Sequence, residues 1–60
     1  MIWKETLKEK LAEEAADRDK YLNLAEMAEK DGCRKAACIM RDIAYEESVH
    51  HKLITEMLEE

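Results

Sequence analysis

One dipeptide punctuates this chain. Asp31-Gly32 carries the only glycine of 60 residues, and there is no proline. Glycine suits the left-handed position just past a helix C-terminus. Lys30, immediately before it, complements the negative end of a helix dipole. The spacing predicts one helix over about residues 3–30, a turn at 31–32 and a second helix over about 33–59, all within a single unit covering 1–60. Ala, Leu, Met, Glu, Lys and Arg fill more than half of the positions, and these are strong helix formers. Val, Ile and Thr, which strands favour, are few. The fold class is all-α, and its unit is a helical hairpin.

On a helical wheel, Trp3, Leu7, Glu14, Tyr21, Ala25 and Ala28 share one face of the first helix, with Leu11 at its margin. The matching face of the second helix is Ala36, Met40, Ile43, Glu47, His50, Ile54 and Leu58. The heptad-like spacing suits nearly aligned bundle packing. Two helices cannot enclose a core, and a chain this short is marginal alone. The expected solution is a homodimer of hairpins closing an antiparallel four-helix bundle. A further stripe of Cys38, Tyr45 and Val49 on the far side of the second helix offers a contact for a higher oligomer.

Acidic side chains outnumber basic ones by 15 to 10, a formal charge of −5. That balance disfavours nucleic acid and anionic membrane surfaces as partners. No apolar run is long enough to span a bilayer. The start, Met1-Ile2-Trp3-Lys4-Glu5, does not read as a signal peptide, because charge interrupts the apolar stretch at once. The expected location is the cytosol. Cys33 and Cys38 match no CxxC pattern and are expected as reduced thiols.

The informative residues are those that interrupt the apolar stripes. Glu14 lies between Leu11 and Tyr21, and Glu47 and His50 lie between Ile43 and Ile54 in a Glu-x-x-His spacing. Residues three apart are neighbours on a helix surface, so Glu47 and His50 can grip one ion. Burying such groups unpaired is costly, and a metal cluster is one compensation. From Glu14 to Asp31 the chain advances 17 residues, about 25 Å of helix. From Cys33 to the midpoint of Glu47 and His50 is roughly 23 Å by the same rise. Glu14 therefore lies level with the pair. A two-fold dimer about that level supplies four carboxylates and two imidazoles, the ligand set of di-iron and di-manganese carboxylate bundles. Oxygen-rich donors with one imidazole per metal favour iron or manganese over structural zinc.

Two motifs at this separation carry a family resemblance. The first runs Glu14-Ala15-Ala16-Asp17-Arg18-Asp19-Lys20-Tyr21, then Leu24-Ala25, Ala28 and Asp31-Gly32. The second is Ile43-Ala44-Tyr45-Glu46-Glu47-Ser48-Val49-His50. Together they resemble half of a rubrerythrin-type ferritin-like domain. The resemblance implies Glu14, Glu47 and His50 as metal ligands, two irons (or manganese) per dimer, and Tyr21 as a hydroxyl donor behind a ligand carboxylate. It also implies an oxidoreductase reacting with peroxide or O₂. The rubredoxin-like CxxC…CxxC module of rubrerythrins has no counterpart in these 60 residues, so the electron donor is expected to be external.

Plainer readings stand beside these. Glu14 can pair with Arg18 one turn on. Glu47 and His50 can be a surface pair, and Tyr21 can be a core aromatic. His51 can reach Glu47 at i,i+4, and Asp17 can add a carboxylate one turn after Glu14; these two are the lesser ligand candidates. The alternative functions are a ferritin-like iron-binding, ferroxidase or storage protein, and a metal-free dimerisation module whose polar core residues set register.

Overall fold

The computed structural model describes residues 1–60. It contains two helices and no strand: α1 spans Ile2–Lys30 and α2 spans Arg34–Leu58. They fold back on each other as a hairpin, a rod of 47 × 14 × 10 Å. None of its helices is long and apolar enough to cross a membrane.

The turn explains the fold's direction. Gly32 sits at φ +79°, where a side chain would strain the backbone. Its N–H reaches the Glu29 carbonyl at 3.0 Å, and the Cys33 N–H reaches the Ala28 carbonyl at 2.8 Å. These two bonds form a Schellman ending, which satisfies carbonyls that the end of α1 would otherwise leave unpaired. The chain can then reverse within three residues. At the far end, Lys4 Nζ donates to the Glu60 carbonyl at 3.0 Å.

The seam between the helices follows alternating steps of three and four. On α1 it runs Leu7, Leu11, Glu14, Arg18, Tyr21, Ala25 and Ala28; on α2 it runs Ala37, Met40, Ala44, Glu47, His51, Ile54 and Leu58, all of them buried or half-buried. Only five residues are buried: Ala25, Ala37, Ala44, Ile54 and Glu14. Three of the five are alanines, so the helices approach closely while enclosing little apolar volume.

This seam differs from the wheel faces. Ala37 and Ala44 are at its centre, and His51 lies on it. Ala36 and Ile43 fall half-buried beside it, and His50 stands outside it. Trp3 is 47% exposed. The cause is that two packed helices share a narrow stripe with a period near 3.5 residues, whereas the apolar arc of each helix is wider. The excess arc forms one flank of the hairpin. That flank carries Leu24, Met27, Ile39, Leu53 and Met57, all exposed.

Candidate metal centre

Heptad register brings Glu14 of α1 opposite Glu47 of α2, about midway along the rod. His50, one turn beyond Glu47, projects from the neighbouring row toward the same point. A ligand atom from each of Glu14, Glu47 and His50 lies within 4.8 Å of the others. Glu14 is only 8% exposed. His50 Nδ1 stands 3.6 Å from Glu14 Oε2, with the imidazole 55% exposed. The cluster is thus buried on the α1 side and open along one flank.

Its electrostatics follow from two carboxyl groups in contact. A hydrogen-bonding contact between the Glu14 and Glu47 carboxyls holds Glu14 below the usual carboxylate range, against the opposing effect of burial. The positive charges of His50 and Lys10 act in the same direction. Glu47 is pushed up, first by that hydrogen bond, then by burial and the negative charges of Glu14 and Asp17; His50 offsets part of this. The two shifts are opposite in sign, as is expected of carboxyl groups that share one site. Even so, Glu14 Oε2 is buried with no hydrogen-bond donor. A buried acceptor left unmatched is rare and costly.

That orphaned oxygen is the observation against which a metal can be tested. Two carboxylates and an imidazole, converging with one oxygen unpartnered, form a donor set that suits iron or manganese. A bound cation would give the orphan a partner. The three donors of one hairpin fit the group.

The other sequence candidates lie outside this trio. Asp17 is exposed, and only its charge reaches Glu47. His51 is half-buried on the seam, where its carbonyl accepts the Thr55 hydroxyl at 2.8 Å. Tyr21 is half-buried on the row of Glu14, two turns nearer the Gly32 turn. Cys33 and Cys38 are exposed free thiols. The i,i+4 pairing of Glu14 with Arg18 does not form. Arg18 turns instead to Asp19 at 3.3 Å, because Glu14 points to the opposite flank. Sequence reasoning passed over Lys10, whose charge bears on Glu14; its i,i+4 spacing to Glu14 was the available signal.

A family model described as Rubrerythrin matches residues 5–60. No curated protein and no solved structure matches the chain.

Proposed function

The chain belongs to the rubrerythrin family, and from that membership we propose that it is a di-iron carboxylate oxidoreductase whose metal pair is held jointly by two copies. The observation that carries this reading is the convergence of Glu14, Glu47 and His50 within 4.8 Å. One copy supplies two carboxylates and one imidazole, half of the set that such bundles use. A second copy related by a two-fold axis through the cluster supplies the other half. The exposed apolar residues on either side of the cluster support the same arrangement, since they would be covered by it.

When bound, the metal pair supplies the redox capacity to reduce peroxide or dioxygen. The chain's own residues set up that site. Glu14 presents a buried carboxylate, and Glu47 a second carboxylate within reach of the same point. His50 contributes a neutral imidazole from the accessible side. Tyr21, along the row from Glu14, serves as the hydroxyl donor behind the carboxylates. Two unpaired thiols fit a cytosolic setting, with electrons arriving from an external donor. Manganese is compatible with the same ligands.

Anaerobic loading with Fe(II), followed by elemental analysis and sedimentation, tests this. The expected result is one iron per chain and a mass of at least twice 7.0 kDa. The ferrous protein should then oxidise rapidly on mixing with peroxide and turn over with an added reductant. A helical monomer at micromolar concentration, or one iron per two chains, would overturn the shared site. Accumulation of ferric mineral without turnover would favour storage.

A further inference from the structure

Positive charge is concentrated on the flank across the seam from the cluster, although the chain as a whole carries −5. Along α1, Lys4, Lys8, Ala15, Leu22 and Glu29 follow one row in steps of four and seven. Along α2, Arg34, Arg41, Ser48 and Thr55 follow the facing row in steps of seven. With Arg18 on the seam beside them, these rows hold five of the chain's ten cationic side chains and one of its fifteen acidic ones. Arg41 spends one N–H on Glu29, and Arg18 two on Asp19, out of the five that each guanidinium offers. Lys8 and Arg34 form no ion pair. Midway along this flank, Arg18 and Arg41 border a shallow groove with the exposed apolar side chains of Leu22 and Tyr45. Arg18 lies one turn after Glu14, and Ser48, also on the groove, directly follows Glu47. The rod is 14 Å across its wider section, so the groove backs onto the cluster through a wall one helix pair thick.

We propose that this groove and the cations around it dock an acidic electron-carrier protein, the external donor of the reaction. The inference rests on the oxidoreductase reading above and names the surface that its reductant uses. In the two-copy arrangement the open flank is covered, and the closed flank is the side from which the cluster can still be approached. A small apolar centre ringed by charge suits a transient encounter, since electron-transfer interfaces are among the smallest. Complementary charge there governs how fast the partners meet more than how tightly they hold. Two carriers arriving in turn each give up one electron and leave oxidised, and together they return two Fe(III) ions to two Fe(II). The acidic remainder of the chain repels such a carrier, so the stripe also selects the face on which it lands. Nucleic acid is the poorer match, because a long polyanion would lie against those acidic faces as well.

The probe is an acidic [2Fe–2S] ferredoxin, titrated in its oxidised form into iron-loaded and metal-free protein over a range of salt. The paired variant Arg18→Gln, Arg41→Gln is compared with Lys20→Gln, Lys35→Gln, which removes two charges away from this flank. The carrier should bind the unmodified protein at low salt and release as salt rises. The arginine pair should weaken binding about fivefold, the size of two partly screened charge contacts, and flatten its salt dependence. Arg18→Lys with Arg41→Lys should keep the salt dependence, and the lysine control should match the unmodified protein. Reduced ferredoxin mixed with the oxidised, iron-loaded proteins should transfer electrons in the same rank order. No binding to the unmodified protein, or equal weakening by the arginine and lysine pairs, overturns the inference while leaving the metal site standing. A short DNA duplex that binds through the same arginines more tightly than the carrier overturns it too, and assigns the stripe to nucleic acid. If the protein holds no iron, the oxidoreductase reading fails, and the metal-free titrations still decide the docking surface by the same comparison.

Discussion

The two flanks of this hairpin border the same seam and differ in how their polar groups are completed. On one flank, Arg41 donates to Glu29 across the helices at 2.7 Å. Ser48 and Thr55 return their hydroxyls to carbonyls of their own helix. Arg18, Leu22, Arg41, Ala44, Tyr45 and Ser48 border a shallow groove there, and Leu22 and Tyr45 stand out singly, as isolated apolar side chains do on many surfaces. On the other flank, Glu14 keeps an orphaned oxygen and His50 stands half in water. Apolar residues lie both toward the turn (Leu24, Met27, Ile39) and toward the open end (Trp3, Leu53, Met57). The first flank is complete within one chain. The second has an apolar–polar–apolar order, and on the proposed reading a cation completes its centre and a second copy covers its ends. The same seam therefore borders a finished edge on one side and, on the proposed reading, half of an interface on the other.

The largest effect should come from charging the open flank. Leu53→Glu is expected to reduce the particle to about 7.0 kDa in sedimentation and to lower its helicity, because a lone hairpin buries too little. Leu22→Glu on the closed flank should leave the mass unchanged. If both variants behave alike, the two flanks are not distinguished by what covers them.

Next in size is the imidazole. Binding that requires the folded site stabilises it by about 2.7 kcal/mol at a metal concentration 100 times Kd. His50→Ala should lose most of the Fe(II)- or Mn(II)-induced rise in melting temperature. His51→Ala should keep the rise while starting from a lower metal-free melt, since His51 lies on the seam. An equal loss of the metal-induced shift in the two would show that the cluster is misassigned.

Gly32 offers a baseline on neither flank. Gly32→Ala meets no neighbouring atom within 4 Å, so its cost is the strained φ alone, about 1–2 kcal/mol. That cost should be the same with and without metal in paired melts. A metal-dependent difference would mean that the turn communicates with the cluster.

A smaller effect concerns pH. In metal-free protein, Glu47 has its pKa raised, so its contribution to stability is present at low pH and is lost as pH rises through the folded value. Glu14 has its pKa lowered, so its contribution is present above its unfolded value and is lost as pH falls through the folded one. Melts in chelator should therefore be highest in the acidic range between the two and decline toward neutrality. Glu47→Gln, whose amide can donate to Glu14 at any pH, should flatten that decline; an unchanged profile would show that Glu47 is not its cause. Smallest of all is Arg41→Gln on the closed flank. An exposed ion pair should shift the melt by about 2 °C or less, and added salt should erase the difference.

The legible part of this molecule was set by local rules. Gly32 marks the reversal because only a residue without Cβ takes that backbone angle freely. Glu14, Glu47 and His50 can be matched because helical rise is constant, so equal distances from the turn mean equal height. What escaped was rotation. The hydrophobic arc places Glu47 and His50 together but does not say which row faces α1. Heptad packing drifts about 20° per seven residues against an ideal helix, and over a helix the length of α2 this moves whole rows. Adjacent His50 and His51 thus exchange roles as flank and seam residues, and Ala37 and Ala44 enter the centre although nothing in their chemistry announces it. Arg18 found Asp19 for the same reason: whether a neighbour at i+4 is available depends on where the seam turns it.

The Lys4–Glu60 contact draws the start of α1 and the end of α2 to one end of a 47 Å rod. In the proposed dimer, two such rods related by an axis through their midpoints would have the Lys4–Glu60 ends at opposite poles. A tandem gene duplication that fused the pair into one polypeptide would have to carry the chain the full length of the bundle. At about 3.5 Å per extended residue, that is roughly 14 residues of connection. A two-residue turn like the one at Asp31-Gly32 could never join the halves. If the proposed dimer forms, a single-chain version of it would need two short reversals and one long crossover.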